Sequence, residues 1–477
     1  MHESISNKVV RGTIWSAFDR FGVMAIQFVV NLVLARLLTP DEFGAVGMLY
    51  IFIAVSQTFV DGGFGSALIQ KKKPSNTDYS TIFFWNIIVG CVLYCILFCC
   101  AGPIARFYKM PILVKVLRII SISIIFNGIA GLLMNRLQKQ LQFNTIAISN
   151  IIGFILAAAI AIAMAISGAG IWSLVAMSIC QPLFRSLIMV VKTRWIPKLI
   201  FSIQSLKELF AFGGFLLLGN LLENIFKNLQ GLIIGKRFSA EQMGYYSQAD
   251  KLDQVVSYSV PQVIAAVMYP VFSQYQDDSI RLRNLIKVDL HIISYLIYPL
   301  LILLILIAEP LIVMLYGDKW TDSVPYFQIL CCGGFFYSLN NIPYYTVAAC
   351  GKSKALLMAS FYKWSFLALS LFIGMNFGMI GIMWGIVVSY VNIYITNCLL
   401  AKKYIKARIS EFFQPLLPSI MNAAFTGILS YLILAGLNLP WGLSIPIYIG
   451  IYLAIGKLLR IKAQSEAFQL LKKVIRK

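Results

Sequence analysis

The sequence predicts an all-α polytopic membrane protein of about 14 transmembrane helices, arranged as two six-helix halves in a parallel pseudo-two-fold repeat plus two C-terminal helices. Three observations carry this. The 477 residues are 59% hydrophobic and only 12% charged, whereas a soluble domain carries about a quarter charged residues. The apolar residues gather into runs of about 20, the length that crosses a hydrocarbon core. Finally, residues 32–44, LVLARLLTPDEFG, return as residues 232–244, LIIGKRFSAEQMG. Leu32 aligns with Leu232, Arg36 with Lys236, Thr39 with Ser239, Asp41 with Glu241 and Gly44 with Gly244. Recurrence at one register is how duplicated transporters are built.

In chain order the expected spans are 12–36, 43–68, 80–105, 112–134, 145–167 and 169–191, then 208–235, 243–271, 290–316, 324–348, 355–376 and 378–400, and last 414–436 and 441–459. The first run holds Asp19 and Arg20, which the apolar core of a cleaved signal peptide would not, so it is expected to remain as a helix. Thr39-Pro40-Asp41-Glu42 has the pattern of a capping box with proline at the first helical position, and Ser239-Ala240-Glu241-Gln242 repeats it without the proline. A second echo pairs Gly170-Ile171-Trp172 with Gly381-Ile382-Met383, and Ser178 with Ser389. The domains expected are an N-terminal lobe at 9–198, a second lobe at 205–403, two added helices within 414–459, and a basic cytoplasmic tail at 460–477. Phe468, Leu471 and Ile475 give that tail a helical apolar spacing suited either to the inner leaflet or to a solvated helix.

A formal charge of +21 would suggest nucleic acid in a soluble chain, but its distribution excludes that partner here. With the N-terminus inside, most of the 40 Lys and Arg residues fall on the cytoplasmic side, among them Lys71-Lys72-Lys73, Lys402-Lys403 and the tail. The positive-inside rule therefore places both termini in the cytoplasm and makes the bilayer the partner. The nine cysteines lie almost wholly in apolar runs, and the Cys91, Cys95, Cys99 ladder has no His or carboxylate nearby, so packing is expected, with no metal and no disulfide framework. Gly351-Lys352-Ser353 lacks the upstream glycine of a phosphate-binding loop, position 346 being Thr346. With only His2 and His291, a histidine-based active site is not expected, and neither is a cofactor.

Polar residues inside spans mark function or pairing, because charge in hydrocarbon is costly. Asn220, Glu223, Asn224, Lys227 and Asn228 step by three and four along the seventh run, giving one polar stripe. Ser16, Arg20, Gln27 and Asn31 form a similar stripe in the first, and the repeat places Arg20 on Asn220 and Gln27 on Lys227. The eighth run carries Ser247, Asp250, Gln254 and Ser257 on one face, with Lys251 beside Asp250; Lys363 lies alone in the eleventh. A hydrated cleft between the halves is the simplest geometry. Glu223 and Lys227, four apart in the favourable order, suit an intrahelical ion pair as well as a cavity wall.

These landmarks resemble a known family. ARLLTPDEFG at residues 35–44 is similar to the signature of bacterial Wzx-type polysaccharide exporters. NRLQKQLQF at 135–143 resembles the corresponding stretch in the colanic-acid and teichuronic-acid exporter branch, and Gly170-Ile171-Trp172-Ser173-Leu174 and Ala349-Cys350-Gly351-Lys352 look like further landmarks. The resemblance implies membership in the multidrug/oligosaccharidyl-lipid/polysaccharide superfamily and a place in the bacterial cytoplasmic membrane. It implies a substrate: an oligosaccharide on an undecaprenyl pyrophosphate carrier, O-antigen, capsule or exopolysaccharide repeat unit, turned from inner to outer leaflet. Polysaccharide polymerase and chain-length machinery are the implied partners. An anionic head group needs cations in a hydrated path. The expected substrate-binding set is Arg20, Gln27, Asn220, Asn224, Lys227, Lys251, Gln254 and Lys363, with Asp19, Glu223 and Asp250 as ion-coupling candidates. The competing readings are a drug/cation antiporter of the same superfamily, disfavoured by the intramembrane cations, and a membrane polymerase or ligase, disfavoured by short external loops.

Overall fold

The computed structural model describes residues 5–437, 441–459 and 464, all of whose regular structure is helical. Contacts divide the chain into two compact units, residues 1–244 and 245–477. Among the described residues, ten apolar helical runs are long enough to cross a membrane. One of them, Ser353–Ile405, is two helices folded back at a short turn. The predicted tail at 460–477 lies outside the described residues apart from Gln464.

The first unit contains α1 (Ile5–Leu37), α2 (Pro40–Asp61), α3 (Phe64–Gln70), α4 (Asn76–Tyr108), α5 (Ile112–Ile120), α6 (Ser123–Lys139), α7 (Phe143–Ile166), α8 (Ile171–Thr193), α9 (Ile203–Lys227) and α10 (Leu229–Arg237). Its helix starts follow from local chemistry. Glu42 reaches back to accept the Thr39 backbone N–H at 2.8 Å. Ser75 and Asp78 form a reciprocal box that opens α4, with contacts of 2.8 and 3.1 Å. Gly62, left-handed at φ 54°, ends α2. The expected span at 208–235 is interrupted at Asn228, between α9 and α10. Within this unit α1 and α8 pack on α7, α6 on α8, and α9 and α10 on α2.

The two repeated segments meet each other. A Cβ added at Gly44 would collide with the Ala240 carbonyl oxygen, and one at Gly244 with that of Pro40. Glycine is thus required at both positions for the two helix starts to cross at backbone contact. The second capping pattern is also formed: the Gln242 N–H donates to Ser239 Oγ at 3.1 Å, and the Ser239 N–H to Gln242 Oε1 at 3.5 Å.

Beginning at the boundary, α11 (Ala240–Gln254) leads into a single π-turn at Val255–Ser259 and then α12 (Val260–Gln274). There follow α13 (Ser279–Leu306), α14 (Ala308–Tyr316), α15 (Val324–Tyr337), α16 (Asn341–Ala349), α17 (Ser353–Gly374), α18 (Gly378–Ile405), α19 (Ser410–Phe413), α20 (Leu417–Leu437) and α21 (Ser444–Leu458). The expected span at 324–348 is split between α15 and α16 around Ser338–Asn340. In this unit α18 packs on α15, α16 and α17, and α13 packs on α15 and α20.

Candidate functional site

Polar side chains collect at two places, one in each unit. In the first, Asn150 on α7 donates to both carboxylate oxygens of Asp19 on α1, at 3.1 and 3.0 Å. Gln57 donates to Asp61 one helical turn on, at 3.1 Å. Arg185 on α8 donates to Asn127 on α6 at 3.2 Å and lies within electrostatic reach of both Asp61 and Asp19. Gly153 on α7 makes this possible, because a Cβ there would press on the Arg185 backbone. Two carboxylates thus lie within electrostatic reach of one guanidinium inside a run of apolar helices.

Asp61 and Arg185 do not stand out in the sequence. Asp61 directly precedes Gly62-Gly63 and reads as the start of a turn; Arg185 lies near the end of its run and reads as a cation snorkelling to the surface. The available signal was the charge itself, since both fall inside runs assigned as spans.

Of the residues expected on the first polar stripes, Arg20, Gln27, Asn220, Glu223 and Lys227 are exposed, and Asn224 is half-buried. Asn224 donates to Thr58 on α2 at 2.9 Å. Among the described residues no ion pair joins Glu223 to Lys227, although the spacing would allow one.

In the second unit, Gln254 donates to Asp250 at 2.7 Å, one turn apart on α11. Lys251 is exposed and within electrostatic reach of Asp250. The π-turn that follows sets Ser257 to donate to Asp253 at 2.6 Å, both side chains being buried. Asp253 is a further acid that the stripe reading passed over. π-Turns within α-helices recur at functional sites because the extra residue re-aims the side chains around it. Here Tyr258 stacks on Tyr337 at 5.9 Å, and Tyr337 on Tyr390 at 4.5 Å.

Lys363 sits elsewhere in this unit. It is only 7% exposed, donates to Asn397 Oδ1 at 3.1 Å, and lies 5.7 Å from the Tyr344 ring centroid. Asn397 in turn donates to Asn340, in the break between α15 and α16. The ammonium is therefore held by a neutral amide and an aromatic face, and among the described residues no carboxylate pairs with it.

Residues 33–325 match the family model described as polysaccharide biosynthesis protein. The chain belongs to that family. It is 27% identical to the teichuronic acid biosynthesis protein TuaB of Bacillus subtilis (strain 168), over 90% of this chain and 89% of that protein. It is 25% identical to the lipopolysaccharide biosynthesis protein WzxC of Escherichia coli (strain K12), over 71% of this chain and 69% of that one. Another relative, at 26% identity over 68% of this chain and 65% of its own length, is the succinoglycan biosynthesis transport protein ExoT of Rhizobium meliloti (strain 1021). Among solved structures, the lipid II flippase MurJ in an inward closed conformation superposes with a TM-score of 0.74 at 15% identity, over 94% of this chain and 98% of its own. An inward-facing multidrug resistance MATE family transporter gives 0.64 at 13% identity, over 82% and 98%. These superpositions show the shared fold alone. The family is that of the Wzx-type exporters, which makes this polysaccharide biosynthesis protein a multi-pass membrane transporter and not an enzyme.

Proposed function

We propose that this chain is a flippase of the bacterial cytoplasmic membrane that turns an undecaprenyl-pyrophosphate-linked oligosaccharide from the cytoplasmic to the outer leaflet, by alternating access through a cationic central cavity. The observation that carries this reading is Lys363, a cation in an apolar helix with neutral partners, in a member of a polysaccharide-export family. A buried cation without a counter-charge is unfavourable at rest and becomes favourable when an anion arrives. A pyrophosphate is such an anion. Arg20, Gln27, Asn220, Asn224, Lys227, Lys251, Gln254 and Lys363 are the proposed contacts along its path. Ion coupling is assigned to Asp19, Glu223 and Asp250, and the Asp19–Arg185–Asp61 grouping supports it: two acids and one base leave a net negative charge that a proton or small cation would balance.

The about 14-span count, the six-helix lobes at 9–198 and 205–403, the helices within 414–459 and the cytoplasmic termini belong to the same proposal. The backbone contact of Gly44 and Gly244 supports the duplication. Polymerase and chain-length proteins are the proposed functional neighbours. The MATE likeness keeps a drug/cation antiporter as the second reading.

Replacement of Lys251 tests the proposal. Lys251→Ala should reduce surface polysaccharide more than Lys251→Arg at matched protein abundance, with lipid-linked intermediate accumulating on the cytoplasmic side. Normal export by Lys251→Ala removes this residue from the path. Normal translocation with failed polymerisation would overturn the flippase reading.

A further inference from the structure

The segment between α8 and α9 is pinned to the first unit while its apolar side chains point outward. Trp195, only 8% exposed, sits edge-on against Tyr79 and Phe83 at 6.5 and 6.1 Å, with the Arg136 guanidinium 5.0 Å from its ring centroid. The Lys198 N–H donates to Ser80 Oγ at 3.0 Å, and the Ser202 N–H to Thr81 Oγ1 at 3.1 Å; both hydroxyls lie on fully buried residues of α4. Ser202 then caps α9 by accepting from the Ser205 N–H at 3.2 Å. Between these fixed points Ile196, Leu199 and Ile203 are 77%, 93% and 63% exposed. A backbone tied at this many points cannot turn those side chains inward by local collapse.

We propose that this linker is an interfacial anchor that seats on anionic phospholipid headgroups, with Ile196, Leu199 and Ile203 entering the headgroup–acyl boundary. Exposed Lys192, Arg194 and Lys198 interleave with the apolar residues, the composition of a segment lying in the plane of an anionic leaflet. The nearest acid on α9, Glu208, is engaged by Lys71 at 3.3 Å, so it does not offset those cations. Lys72 and Lys73, which follow the Lys71 that reaches Glu208, are also exposed. Charge and apolarity together match a lipid surface; a protein partner would satisfy the apolar residues without requiring the cations.

Hydrogen exchange on the full-length chain reconstituted in nanodiscs tests this, comparing phosphatidylcholine alone with phosphatidylcholine containing phosphatidylglycerol. The amides of Leu199 and Phe201 should exchange more slowly in the discs with phosphatidylglycerol. Each of Lys192→Gln, Arg194→Gln and Lys198→Gln should erode that protection by roughly fivefold, and Leu199→Ser should remove it, with α7 peptides unchanged as the measure of an intact fold. Equal exchange in the two lipids overturns the proposal. Protection that rises with protein per disc, and not with phosphatidylglycerol, assigns the surface to a second copy and also overturns it.

Discussion

The first unit places an arginine where two acids reach it; the second places a lysine where none does. Arg185 faces Asp61 and Asp19 and donates to Asn127, while Lys363 has Asn397 and the Tyr344 ring. Both cations are costly to desolvate, but the compensation differs. In the first unit the guanidinium is the positive charge within electrostatic reach of two carboxylates and is tied to Asn127, so its removal is felt by the fold. In the second the ammonium is under-compensated, so its removal relieves the fold and is felt only by whatever anion it awaits. One feature is a charged cluster tied into the fold, the other a buried cation with neutral partners, which is the proposed anion site.

The largest effect should come from breaking the first network. Arg185→Gln should cost about 1.5–3 kcal/mol, because the charge-assisted bond to Asn127 is lost and the acids lose the positive charge within reach. Thermal aggregation of the purified protein, followed by size-exclusion chromatography, reads this loss. Adding Asp61→Asn should recover at least half of it, because one acid then no longer needs the arginine. Additive losses in the double variant would show that the two side chains are uncoupled and would end the contrast between the units.

Lys363→Met should separate fold from transport. Replacing an unpaired buried cation by an apolar side chain of similar length should leave stability within about 1 kcal/mol of the parent, or raise it. Export should nevertheless fall at equal abundance, with intermediate held on the cytoplasmic side. A large loss of stability with export restored once abundance is matched would place Lys363 in the fold rather than in the path.

The contrast also explains what the sequence could disclose. Lys363 was visible because a lone charge in a long apolar run has only one dimension to be judged in, and the run decides it. The polar stripes of the first and seventh runs were visible for the same reason, as periodicities within a single helix. Asp61 and Arg185 were not, because their significance lies in the meeting of α2 with α8, which depends on Gly153 and on a partner far along the chain. Asp253 was missed differently: it and Ser257 are spaced for α-helical contact, but the π-turn between Val255 and Ser259 is a backbone feature without an unambiguous residue code. The helix starts at Thr39 and Ser239 were legible, since capping is local; the collision-limited approach of Gly44 and Gly244 was legible only as matching letters.

The sharpest separation of charge from shape, again at little change in stability, should come from Asn397→Asp. The substitution puts a carboxylate where the amide oxygen now accepts from Lys363 at 3.1 Å, and removes the donation to Asn340. The gained charge-assisted bond and the lost amide donor offset each other, so stability should shift by no more than about 1 kcal/mol. The lysine then has an internal counter-ion, which the proposed pyrophosphate would have to displace. Export should fall towards that of Lys363→Met, although the lysine is still present. Asn397→Ala is the comparison: it loses the donation to Asn340 and also the acceptor for Lys363, and it leaves the ammonium uncompensated, so it should export better than Asn397→Asp. If the two variants export equally well while Lys363→Met does not, the requirement is for the lysine's shape and not for its free charge. The second unit would then lose its reading as an anion site, and the difference between the two units would be one of packing alone.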